Sequence, residues 1–180
     1  MALTKVTGNG LGAIPAISGA NLTGLTAGQL PAGSVLQVVE GGRLTRVTHA
    51  STSYGDVGVS TAITPSATSS KIFIILTGTL SNGNASNHAF IRLFRGDTEI
   101  GSGTGGTNTA HRAFMGMLQS DQNYPFNGFG QTFLDSPSTT SATTYKIQVN
   151  ALNGTAVLGA RGDDASASIP TRLTLMEIAG

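Results

Sequence analysis

From residue 34 onward, apolar and polar positions follow the short periods of β-strands. Val35-Leu36-Gln37-Val38-Val39 is rich in β-branched residues and predicts a strand that stops at Gly41-Gly42. Arg43 to Thr48 mixes β-formers with charges, as a half-exposed strand does. Lys71 to Leu80 is the most apolar stretch and predicts a central strand, entered through a turn at Thr64-Pro65-Ser66. In His88 to Arg95, Phe90 and Phe94 share one face and Ile91 and Leu93 the other, so both faces are expected to be covered. Tyr145 to Ala151 alternates cleanly, and Asn153-Gly154 predicts a hairpin turn into a strand over Thr155 to Leu158. Val57–Ile63, Ala110–Leu118, Phe129–Leu134 and Thr171–Ile178 read as further strands. No stretch longer than about ten residues keeps a 3.6-residue period. Short strands at this spacing predict an all-β body, a β-sandwich or jelly roll.

The chain before residue 34 is different. Its only charge is Lys5, it has no aromatic residue, and glycines interrupt it at short intervals. Leu11, Ile14, Ile17, Leu22, Leu25 and Leu30 fit neither a heptad nor strict alternation. Such a segment cannot bury enough surface to fold alone, yet it is too apolar for a solvated linker. The division is therefore an extended N-terminal arm over 1–33 and a head over 34–180. The arm's apolar residues are expected to be buried against other subunits or a larger assembly. A disordered tail is the plain alternative.

Composition narrows the class. The chain has 180 residues, a formal net charge of +1, 25 Gly, no Cys and 11% charged residues. With charge so near neutral, no basic face exists to release counterions, which excludes nucleic-acid binding by bulk electrostatics. The lack of Cys excludes disulfide frameworks, thiolate zinc sites and thiol nucleophiles. The longest apolar run, Ile72 to Leu76, is far too short to span a bilayer, and the start of the chain lacks the pattern of a signal peptide. A protein made in a cytoplasm, neither secreted nor inserted in a membrane, is the expectation.

The motifs that suggest chemistry lack their required surroundings. Gly101-Ser102-Gly103-Thr104-Gly105-Gly106 matches the dinucleotide pattern, but no helix pattern follows to meet a pyrophosphate, so a loop is expected. His49, His88 and His111 show no metal-ligand spacing, although copies of one His could meet on a symmetry axis. Arg95-Gly96-Asp97 and Arg161-Gly162-Asp163 read as turns. No serine nucleophile elbow is present, and the only adjacent acidic pair is Asp163-Asp164. No catalytic, cofactor or metal residue is assigned, and no enzyme is expected.

Aromatic residues concentrate in one place. Phe114, Tyr124, Phe126, Phe129 and Phe133 are half of the ten in the chain. Between them lies an amide-rich loop that includes Asp121, Gln122, Asn123 and Tyr124. An aromatic face beside amide and carboxylate groups suits a glycan, so Asp121, Gln122, Asn123, Tyr124 and Phe126 form a candidate receptor contact. The alternative is that the Phe residues fill the core or an inter-subunit seam and the loop is simply exposed.

Several phrases, taken together, resemble virion proteins of tailed bacteriophages, especially small fibre proteins of phages infecting cyanobacteria and other aquatic bacteria. They are the opening Met1-Ala2-Leu3-Thr4-Lys5-Val6-Thr7, the stretch from Asn21 to Val38, Ile63 to Ile72, Leu93 to Gly101, Leu134 to Tyr145, and Leu175-Met176-Glu177-Ile178. The resemblance implies a homotrimer with a jelly-roll head, its arms attached to other virion proteins of the tail, baseplate or capsid. It implies no catalytic residues. With no repeat shaft, a short fibre or spike whose head meets the host surface is expected. A trimeric capsid decoration protein is the alternative, and a monomeric carbohydrate-binding or esterase-like jelly roll is a third.

Overall fold

A computed structural model describes residues 30–84, 86–119, 126–162 and 166–180. Among these, eleven strands and one 3₁₀ turn form. In chain order they are β1 (Val35–Arg43), β2 (Val47–His49), β3 (Gly55–Ile63), β4 (Lys71–Asn82), β5 (Asn87–Arg95), β6 (Thr98–Ile100), the 3₁₀ turn (Thr109–His111), β7 (Met115–Gln119), β8 (Gly128–Asp135), β9 (Thr143–Leu152), β10 (Ala156–Leu158) and β11 (Thr171–Ile178).

The strands make two antiparallel sheets. The first runs β1-β11-β4-β10-β2, with β8 on the free side of β4; the second runs β3-β9-β5-β6, with β7 also on β5. Setting aside the short β2, β6 and β10, the order is β1-β11-β4-β8 against β3-β9-β5-β7. This is the strand order of a jelly roll.

Alternation decides what each sheet buries. Ile72, Ile74 and Leu76 of β4 and Leu173 and Leu175 of β11 point inward from the first sheet. Ala89, Ile91 and Leu93 of β5, with Tyr145, Ile147 and Val149 of β9, meet them from the second. One apolar core thus lies between two layers, as the strand periods predict.

Polar clasps close the ends of this core. Asp135, where β8 ends, accepts from Arg95 Nη1 at 2.9 and 3.0 Å and from the Tyr145 hydroxyl at 2.7 Å, tying the first sheet to the second. Burial, then the hydrogen bond to Asp135, pushes the Tyr145 hydroxyl far above the usual phenol range. Elsewhere Glu177, fully buried on the inner face of β11, accepts from Gln37 Nε2 at 2.5 Å and from the amide and hydroxyl of Ser66, each at 2.6 Å.

Several expectations change. β1 runs through Gly41-Gly42 instead of stopping there, paired with β11 as far as Arg43 and Thr171. The glycines allow close approach: a Cβ at Gly41 would strike the Thr61 hydroxyl, and one at Gly42 (φ +141°) the Thr171 carbonyl. Asn153-Gly154 does turn, with φ of +65° and +79°, but no hairpin follows. β9 already pairs with β3 on one side and β5 on the other, so the chain crosses to the first sheet, where β10 joins β4 and β2. The Arg95-Gly96-Asp97 turn connects β5 to β6, a strand that the sequence pattern did not suggest. Arg43 to Thr48 is mostly connection, with strand only from Val47.

Candidate functional site

The outward positions of β5 are His88, Phe90, Arg92 and Phe94. Phe90 pairs across from Gly116 of β7, and a Cβ there would sit 2.6 Å from the Phe90 ring. The missing side chain lets the ring lie flat against the sheet and gives other rings a platform. His88 stacks on Phe90 with centroids 5.8 Å apart, and His111 stacks on it at 5.1 Å. His111 belongs to the 3₁₀ turn, whose Ala110 amide donates to Asn108 Oδ1 at 3.0 Å; Asn108 Nδ2 also lies 3.2 Å from His111 Nε2.

Arg92 holds this loop down. Its Nη2 donates to the Thr109 carbonyl at 2.7 Å, its Nε to the Arg112 carbonyl at 3.0 Å, and its Nη1 pairs with Glu99 of β6 at 3.0 Å. The guanidinium also lies 4.0 Å over the Tyr54 ring, and the Tyr54 hydroxyl donates to the Ala110 carbonyl at 3.0 Å. Burial raises the Tyr54 pKa, with the Arg92 charge opposing. Arg112 in turn closes the loop on itself through the Gly106 carbonyl, at 2.8 and 2.9 Å.

Two open clefts flank the loop. One, of about 400 Å³, is lined by Arg92, Glu99, Ser102, Thr104, Thr109 and Arg112. The other, of about 330 Å³, includes Gly105, Thr107, Asn108 and His111. Arg92 is paired with Glu99, whereas Arg112 bonds the neutral Gly106 carbonyl and keeps its positive charge, so the clefts offer hydroxyls, an amide, backbone groups and a guanidinium. That lining suits hydrogen bonding to a polar ligand such as a polyol. Among the described residues, no group of three His, Cys, Asp or Glu is placed to hold a metal ion.

The sequence-predicted site residues divide. Asp121, Gln122, Asn123 and Tyr124 lie outside the described residues, as do Leu11, Ile14, Ile17, Leu22 and Leu25. Leu30 is described and partly buried, just before a turn at Pro31 to Ser34. Phe126 is 47% exposed. Phe129 and Phe133 pack against the core, and Phe114 meets Phe133 edge-on at 6.5 Å. Three aromatics of that cluster therefore serve packing, and Phe126 is presented to solvent. His88 and His111 come together with ring centroids 6.0 Å apart, whereas His49 lies elsewhere with Nε2 2.9 Å from the Ser53 carbonyl.

Sequence reasoning missed Tyr54, Arg92 and Glu99. The available signal was Arg92 itself, a cation between Ile91 and Leu93 on a strand whose outer face was expected to be covered. No protein-family model matches this chain, and no curated protein matches it. Among the described residues, no helix is long and apolar enough to cross a membrane.

Proposed function

We propose that this chain is a structural virion protein of a tailed phage: a short trimeric fibre or spike. Its 1–33 arm attaches it to other virion proteins, and its jelly-roll head contacts the host surface. The observation that carries this reading is a two-layer β head preceded by an apolar segment whose only charge is Lys5. The head closes its own core, so it does not need the segment to fold. The segment carries Leu and Ile at short intervals and a single charge, a composition that calls for a partner. Where the chain enters the head, Gly33 N donates to the Ala179 carbonyl and Ala179 N to the Ser34 carbonyl, both at 2.8 Å. These bonds fix the point from which the arm leaves.

Host contact in this reading falls to the loop after β7, next to exposed Phe126, and to the clefts beside the 101–113 loop. The hydroxyls, amide and guanidinium that line those clefts are groups that bond a glycan. No step of chemistry is assigned to the head.

Deleting residues 1–33 tests the arrangement. The expected result is a folded head with unchanged far-ultraviolet circular dichroism that no longer enters virions. A truncated protein that enters virions at the full-length level contradicts the role of the arm. Immunogold label on the tail supports the fibre; label spread over the capsid transfers the same architecture to a decoration protein.

A further inference from the structure

The two outer faces of the head differ. The second sheet's outer face carries Lys146, Gln148 and Arg92, and the 101–113 loop lies over part of it through the Phe90–His111 stack. The first sheet's outer face carries an apolar row straight across its four long strands: Val38 of β1, Met176 of β11, Phe73 of β4 and Leu134 of β8 occupy successive paired positions. Ile75 and Ile178 extend it on either side. Val38 at the start of the row is 56% exposed and Leu134 at its end 49%.

We infer that this face is where one copy of the chain packs against another. The inference rests on the self-association in the proposed function and gives that association a location. Charge is confined to the rim: Glu40 and Arg172 neutralise each other at 2.9 Å on one side, and Lys71 lies on the other. An apolar centre with a polar rim is the anatomy of an interface core. The size also fits a second copy. Four strands about 4.8 Å apart and eight residues long, at about 3.4 Å each, make a face of roughly 500 Å². Covered by an equal area of a neighbouring copy, such a face buries roughly 1,000 Å² in all, the area at which a specific interface begins.

The test uses the absence of native Cys. Val38→Cys and Leu134→Cys each give the full-length chain a single thiol on this face, and Ser60→Cys gives one at an exposed site on β3 of the other sheet. The rate of reaction with a charged thiol reagent is measured at micromolar protein, with native mass by light scattering. The expected result is an oligomer in which the thiols at 38 and 134 react at least tenfold slower than the thiol at 60, the difference vanishing in denaturant. Val38→Asp should then lower the mass to one chain while the β-sheet circular dichroism is kept. An oligomer whose three thiols react alike overturns the assignment of the face and leaves self-association standing. Protection that persists in a single-chain species overturns it too, giving the face to the chain's own arm. A wild-type protein that is a single chain with open thiols overturns both readings.

Discussion

Glu177 shows how one side chain can run against its surroundings and still be required. It sits in phase with Leu173 and Leu175, facing the core, where an ionised carboxylate is costly. Burial by itself raises its pKa; hydrogen bonds from Ser66 and Gln37 oppose it, and the carboxyl is held below its usual value. The sign for stability follows. The unfolded chain takes up this proton at a higher pH than the folded chain. The contribution is therefore present above the ordinary carboxylate range and lost as pH falls through the lowered folded value. Glu177→Gln should cost about 1.5–3 kcal/mol at neutral pH by denaturant unfolding and flatten the acid limb of the stability–pH curve. An unchanged acid limb would contradict this role. Gly42→Ala should cost roughly 2–4 kcal/mol, because the new methyl meets the Thr171 backbone rather than a side chain that can move. The inward phase of Glu177 was legible in Thr171-Arg172-Leu173-Thr174-Leu175-Met176-Glu177. Its partners were not: Gln37 is 140 residues away in sequence and Ser66 is 111. Gly41-Gly42 read as a stop because close backbone approach between strands leaves the same glycine signature as a turn.

Whole elements were most legible where both strand neighbours exist. β9 and much of β11 carry alternation because each is flanked on both sides and buried on one face, whereas β4, with Phe73 and Ile75 on its outer face, reads as a continuous apolar run. β6 and β2 have three residues each, too few for a period to be seen. The Asn153-Gly154 turn formed as its residues dictate, but a turn does not choose the next partner; the occupied edges of β9 do. Of the loop over 101–113, only Gly101 to Gly106 was legible as a loop; Ala110 to Leu118 reads as a strand, yet Thr109–His111 is a 3₁₀ turn and β7 begins at Met115, because Arg92 and Tyr54 hold this part of the chain from distant segments. Its attachment depends heavily on Arg92, which makes two bonds to loop carbonyls and one ion pair. Arg92→Met should therefore release the loop. The expected outcome is limited proteolysis within 103–108 at least several-fold faster, with global stability lower by about 1–3 kcal/mol. Cleavage at the wild-type rate would mean that the His111–Phe90 stack alone is sufficient.

At the scale of the molecule, the sequence pattern carried the fold class because two-layer β architecture is written in period-2 alternation. It did not carry the cleft beside Arg92 and Glu99, whose lining comes from β5, β6 and a loop without periodicity. Nor did it carry the difference between the two outer faces, which appears only when register places Val38, Met176, Phe73 and Leu134 in one row. The apolar composition of residues 1–33 and the apolar sheet face both call for partners, and copies of the same chain are the simplest source. The native mass of the full-length protein, by light scattering after size exclusion at micromolar concentration, tests this most directly. The account predicts a mass near three times the 18.2 kDa of one chain. A stable species at the mass of a single chain would contradict it.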